Sequence, residues 1–155
     1  MKKRIINNIT EFNLLIGKHL GNSSWTTVDQ NKIDFFAKAT DDFQWIHTDE
    51  KKTKTESPFK KTIAHGYYTL SLLPKFFNEV WECKNIGLVL NYGSDKVRFI
   101  SPVLCNDQIR ANISLLDAYD YKSGTMLKSK VDIEIKNSDR LAMSAETLSL
   151  LFETK

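Results

Sequence analysis

The segment 125–136 constrains this chain most. Leu127, Ser129, Val131, Ile133 and Ile135 alternate with Lys128, Lys130, Asp132, Glu134 and Lys136. Period-two patterning with one charged face is the mark of a half-buried antiparallel strand. Such a strand needs hydrogen-bonding neighbours on both edges, and the flanking sequence supplies them. Residues 107–119 alternate through Ile109, Ala111, Ile113 and Leu115, and residues 141–152 predict a closing strand. The links Lys122-Ser123-Gly124 and Asn137-Ser138-Asp139-Arg140 are rich in turn residues. Residues 87–100 predict one long strand or two, with Asn91-Tyr92-Gly93-Ser94 as a bend.

Before the strands lies a helix. From Ile63 to Trp81, Tyr67, Leu70, Leu73 and Phe77 follow a spacing of three to four, and Tyr68, Leu72 and Phe76 carry the apolar surface round the cylinder. A helix apolar over most of its circumference is a buried one. Pro74 removes one backbone hydrogen bond, which predicts a kink or local break within a single helix. A curved antiparallel sheet wrapped round one long central helix satisfies both textures and puts the chain in the α+β class.

The N-terminal half reads mainly as helix and loop. Residues 11–17 predict a short helix with Phe12, Leu15 and Ile16 on one side, and residues 24–28 are rich in strand formers. Asp29 is an N-cap candidate for a helix that carries Ile33, Phe36 and Ala37 on one face and ends near Thr40. Residues 41–64 mix Asp, Thr, Ser, Lys and Pro and predict an irregular loop with one helical turn near 49–54. A loop this long inside a small domain is uncommon unless it has a function.

Length and charge narrow the partners. A chain of 155 residues without a linker or internal repeat reads as a single domain, 1–155. Its net charge of +3 is too small to make nucleic acid the expected partner. No stretch approaches the ~18–20 apolar residues that span a bilayer. The basic start lacks an apolar run and a cleavage site, so it reads as a mature terminus. Cys83 and Cys105 are too few and too far apart for a disulfide framework or a zinc site. They read as free thiols, and the expected compartment is the cytoplasm.

Three segments carry residues with chemical potential. In Thr40-Asp41-Asp42-Phe43-Gln44-Trp45-Ile46-His47, Asp42 and His47 are five apart. They would not share a helical face, but a loop that folds back brings them onto one atom. A carboxylate beside an imidazole can hold a single water, one group taking its proton and the other orienting it. The plainer reading is that Asp41 and Asp42 cap or turn the chain. In Thr62-Ile63-Ala64-His65-Gly66-Tyr67, Gly66 stands where the buried helix starts. Helix N-termini expose unpaired N–H groups, and glycine lets a carbonyl approach closely, which is the geometry of an oxyanion site. A tight turn explains the same glycine, and His65 reads as a packing residue. In Asn91–Phe99, Lys96 and Arg98 can meet phosphates or simply face solvent.

Taken together, Phe36-Ala37-x-Ala39-Thr40-Asp41-Asp42-x-Gln44-Trp45-Ile46-His47, Pro58-Phe59, Ile63-Ala64-His65-Gly66 and Tyr92-Gly93-x-Asp95-Lys96-Val97-Arg98-Phe99-x-x-Pro102-Val103 resemble the MaoC-like dehydratases, the R-specific enoyl-CoA hydratases. The likeness is closest to their nodulation protein N-like branch and covers roughly residues 8–120. It implies a hot-dog fold and a hydro-lyase that adds water across a trans-2-enoyl thioester or removes it from a 3-hydroxyacyl thioester. Asp42 and His47 would activate the water and the Gly66 N–H would bind the thioester oxygen. The resemblance implies no metal and no organic cofactor.

As partners it implies a coenzyme A or acyl-carrier-protein thioester, which Lys52, Lys54, Lys60 and Lys61 would suit, with neither nucleic acid nor membrane. It also implies a homodimer or dimer-based oligomer formed through the open sheet edge and helix flank. The chain departs from the family's usual Gly-Asp-x-Asn-Pro-x-His, with Asp41 in place of glycine and Gln44-Trp45 in place of Asn-Pro. Asp41 adds a second negative charge beside Asp42. Two rival readings remain. One is a non-catalytic acyl-thioester-binding hot-dog subunit. The other is an acyl-thioesterase, for which the central helix offers only Glu79, far along it.

Overall fold

A computed structural model describes residues 3–154. In chain order it contains β1 (Arg4–Ile6), a 3-10 helix (Ile9–Leu15), β2 (His19–Asn22), β3 (Thr26–Thr27), α1 (Gln30–Thr40), α2 (Trp45–Thr48) and α3 (Glu50–Glu56). Then come α4 (Gly66–Ser71), α5 (Leu73–Val80), β4 (Trp81–Cys83), β5 (Ile86–Phe99), β6 (Gln108–Tyr121), β7 (Gly124–Ile135) and β8 (Leu141–Glu153).

The four long expected strands, β5 to β8, form an antiparallel sheet that β2 extends, in the order β2-β6-β7-β8-β5, with β3 also on β6. The period-two pattern sets the register. Ala111 pairs with Ile133 and Ile113 with Val131, while Val131 and Ile133 pair on their other side with Ala145 and Met143. All of these are buried, so one slip by a residue would turn the apolar set to solvent. β5 is one continuous strand; its expected bend is two register shifts on β8, at Asn91/Gly93 and Ser94/Lys96. The sheet does not close: β2 and β5 lie at its two ends.

The central helix differs from expectation in two ways. It begins at Gly66, not Ile63, and runs as two segments split at Leu72, whose backbone stays right-handed (φ −79°, ψ −10°). Pro74 causes the split: it falls in the first turn of α5, where a missing N–H costs nothing. Nor is the helix buried all round. Leu73, Phe76 and Val80 face the sheet, but Tyr67 is 70% exposed on the flank.

The N-terminal half is less loop-like than its composition suggests. The helix ends at Val80, and Trp81–Cys83 leave it to pair in parallel with β1, a two-stranded sheet the sequence pattern does not announce. Within 24–28 only Thr26–Thr27 are strand, whereas the unanticipated β2 pairs with β6. The first short helix is a 3-10 helix over Ile9–Leu15 that buries Ile9 and Phe12 and leaves Ile16 outside. Residues 41–64 hold α2, in a stretch read as loop, and α3, which extends the helical turn expected near 49–54 and buries only Thr53. Both cysteines are free and buried. No helix among the described residues is long and apolar enough to cross a membrane.

Candidate active site

The site starts with the end of α1. Asp29 caps the front of this helix, its Oδ1 accepting the Lys32 N–H at 3.0 Å. At the back, Asp41 adopts the left-handed conformation (φ 56°, ψ 22°) and donates its N–H to the Ala37 carbonyl. That conformation is the usual place for glycine after a helix, and Asp tolerates it better than most residues. Asp41 is exposed, so it serves the chain reversal and adds its charge on the solvent side.

The reversal turns Asp42 back toward the fold. Its Oδ1 accepts the Gln44 N–H at 3.3 Å, which leads the chain into α2 and places His47 in that helix. His47 is buried and donates Nδ1–H to the Ile63 carbonyl at 2.7 Å. A carbonyl only accepts, so this bond sets the tautomer and leaves the lone pair of the neutral ring on Nε2. Burial pushes the His47 pKa below the ordinary imidazole value, and the neighbouring His65 pushes the same way. The Ile63 carbonyl and Asp42 oppose that shift.

A half-buried clamp fixes this geometry. Gln30, in the first turn of α1, donates its amide to the His47 carbonyl and to Asp34 Oδ1, both at 2.8 Å. Its amide oxygen accepts the hydroxyl of the buried Thr62. α1, α2 and the strand-like segment before α4 are thus tied together by one side chain. Nothing in the local sequence marks Gln30 for this, because its partners lie 17 and 32 residues away.

The sequence-predicted residues come together in part. Asp42, His47 and His65 each present a donor atom, all within 4.8 Å of one another. His47 and Gly66 share a cavity of about 270 Å³ with Ala64, Thr69, Phe99 and Ser101. Asp42 is outside that lining, and its side chain is 52% exposed. Gly66 opens α4, where a first-turn N–H has no intrahelical acceptor. A Cβ there would meet the Phe99 ring at 2.9 Å, so any larger residue makes the aromatic wall standing over it shift.

His65 Nε2 lies 3.0 Å from the Asp42 carbonyl, a contact that only a protonated nitrogen makes. His47 Nε2 and the Asp42 carboxylate then remain as acceptors, a pair suited to one polarised water.

Other sequence candidates fall elsewhere. Lys96 pairs with Glu146 at 2.7 Å and Arg98 donates to the Val97 carbonyl, so both belong to the outer strand face. Glu79 is held by Lys75 and the Ser24 N–H, away from the cavity. Lys52 lies over the Trp45 ring, while Lys54, Lys60 and Lys61 line a separate shallow cleft with Cys105. Phe99 and Ser101 were not anticipated as site residues. Phe99 ends β5 within the Tyr92–Val103 motif, and Ser101 lies two residues beyond it.

The chain has counterparts among known proteins. A family model described as MaoC like domain matches residues 11–137. The 3-hydroxyacyl-thioester dehydratase Z of Mycobacterium tuberculosis is 36% identical over 146 residues, covering 94% of this chain and 96% of that protein. Nodulation protein N of Rhizobium leguminosarum bv. viciae is 41% identical over 139 residues, covering 88% of this chain and 86% of that one. The unliganded R-hydratase of Pseudomonas aeruginosa superposes with a TM-score of 0.75 at 18% identity, over 96% of this chain and 89% of its own. That last likeness concerns the fold.

Proposed function

The chain belongs to the MaoC-like domain family, a hot-dog fold, and from that premise we propose that it is an (R)-specific enoyl-thioester hydratase, running in reverse as a 3-hydroxyacyl-thioester dehydratase. The observation that carries the reading is the convergence of Asp42 and His47, with His47 held neutral and its Nε2 lone pair free. The dehydratase named among its relatives supports the same class.

The residues divide the chemistry as follows. The Asp42 carboxylate accepts a hydrogen bond from one O–H of the water and orients it, and that proton stays on the oxygen as the 3-hydroxyl proton. His47 Nε2 takes the other as the water oxygen bonds to C3 of the enoyl chain. The double-bond electrons move onto the thioester oxygen, where the Gly66 N–H meets the developing charge. The imidazolium then returns its proton to C2, so the water is added without residue. A donor fixed at that oxygen binds the transition state more strongly than the substrate, which accelerates the step.

A second copy of the chain completes the site in this reading. β5 is an unpaired sheet edge of 14 residues with Leu88, Val89, Leu90 and Tyr92 exposed along it. A long, apolar, open edge favours pairing with another strand. Tyr67 and Phe99, on the neighbouring helix flank and cavity wall, are also exposed, and a second copy would cover them.

The test is hydration of crotonyl-CoA and longer enoyl-CoA and acyl-carrier-protein thioesters, followed as loss of enoyl absorbance. Wild type should turn over at least one of them. Asp42→Asn and His47→Ala, still folded, should each lose about 10²–10⁴-fold in kcat. A folded Asp42→Asn protein with near-wild-type turnover sinks the dyad. Tight binding of an enoyl thioester without turnover would favour the acyl-binding subunit instead.

A further inference from the structure

We propose that His65 is a positioning residue of this site, holding the Asp42 backbone and the His47 ring in register through one hydrogen bond and one stacked face; the inference rests on the hydratase reading of Asp42 and His47. The His65 ring lies nearly parallel to that of His47, with centroids 3.7 Å apart and planes at 25°. Its Nε2–H donates to the Asp42 carbonyl at 3.0 Å, and the same nitrogen is 3.9 Å from Asp42 Oδ2. Phe36 packs on the ring at 5.1 Å. The backbone of His65 is also engaged. Its carbonyl accepts the N–H groups of Tyr68 and Thr69, which opens α4 directly behind it and sets the orientation of Gly66.

One residue therefore touches every part of the proposed machinery. Asp42 follows α1, His47 belongs to α2 and Gly66 opens α4, so these parts hang on separate elements and need a link to stay aligned. The remaining ring nitrogen sharpens the inference. His65 Nδ1 is buried and has no hydrogen-bond partner among the described residues. An orphaned buried nitrogen is costly, and a phenyl ring would fill the same space without it. The imidazole is thus retained for what a phenyl ring lacks, the Nε2–H donor. Alignment at this level matters because an ångström of misplacement in a reacting pair can cost about 10²-fold in rate.

Two variants separate positioning from filling. His65→Phe keeps the aromatic face and loses the donor; His65→Gln loses the face and keeps an amide N–H that reaches the same carbonyl. In enoyl-thioester hydration, His65→Phe should lower kcat about 10²-fold while KM stays within about threefold. His65→Gln should recover part of that loss, the remainder being the contribution of the stacked face. Wild-type kcat in His65→Phe overturns the proposal, as does an equal loss in both variants.

Nitrogen-15 NMR of the imidazole rings in wild type, above the imidazole titration range, gives a readout independent of turnover. His65 should be the Nε2–H tautomer and His47 the Nδ1–H tautomer. The backbone resonances of residues 42–44 should move in His65→Phe and return in His65→Gln. The opposite His65 tautomer overturns the proposal even where His65→Phe does not fold. Wild type that turns over no thioester, with these tautomers present, defeats the hydratase reading and leaves the positioning geometry standing.

Discussion

Gly66→Ala probes the part of the site built by close approach. A Cβ at this position would stand 2.9 Å from two ring atoms of Phe99 and 3.0 Å from a third, where ordinary contact begins at 3.4 Å. The ring must therefore retreat by about 0.5 Å. Phe99 is 46% exposed and meets Tyr67 edge-on at 5.6 Å, so it has room to swing. Moving it off its rotamer costs about 0.5–1.5 kcal/mol. Replacing glycine in a helix returns up to about 1 kcal/mol of backbone entropy.

The two nearly cancel, and the melting temperature should shift by less than about 4 °C. Turnover has no such compensation. The Gly66 N–H survives, but Phe99 is a wall of the cavity that also contains His47. A shift of half an ångström in that wall should lower kcat/KM about tenfold. The assay is enoyl-thioester hydration alongside thermal melting, with Phe99→Ala on both backgrounds as a double-mutant cycle. The reasoning is refuted if Gly66→Ala retains wild-type kcat/KM, or if it loses as much when Phe99 is already alanine.

Three further outcomes are expected. His47 must be neutral to accept a proton, and its pKa lies below the usual 6.5, so the rate should hold at pH 6.5 and fall only on the acid side of it. The unfolded chain binds this proton more readily than the folded one. The His47 contribution to stability is thus full above pH 6.5 and is lost as pH falls toward the folded pKa, which urea midpoints across that range would read. Asp41→Gly should raise stability by about 0.5–1 kcal/mol through relief of the left-handed backbone and leave hydration rates unchanged; a fall in the urea midpoint would contradict the capping role. Light scattering at micromolar concentration should give at least a dimer mass, and Leu90→Arg on the open edge should reduce it; a wild-type monomer defeats the edge-pairing reading.

Much of the fold is legible before any coordinates. The alternation at 127–135 and 109–115 predicts β6 and β7, because side chains on a strand change face at every residue. Asp29 predicts the start of α1 because a cap acts within three residues of itself. The elements that were missed lack such a pattern. β2 and β4 are too short to show a period, and α2 is a single turn of four residues. Pro74 predicts an interruption, but the choice of Leu72 as the break follows from α5 restarting where proline fits its first turn.

The candidate site divides in the same way. Asp42, His47 and Gly66 stand out by residue type, but the residues alone leave cap and turn readings open, and it is the family resemblance that singles them out as the site. The motif leaves open that Asp41 is the helix-terminating residue in left-handed conformation, that Gln30 clamps α2 from below, and that His65 stacks on His47. Those facts depend on contacts such as Gln30 to Thr62, 32 residues apart, and His65 to Asp42, 23 apart. Periodicity, caps and turns are local energies, expressed over a few residues, and the sequence alone determines them. The tautomer of His47, the orphaned nitrogen of His65 and the ring over Gly66 exist only once distant segments share one volume, so tertiary packing decided them.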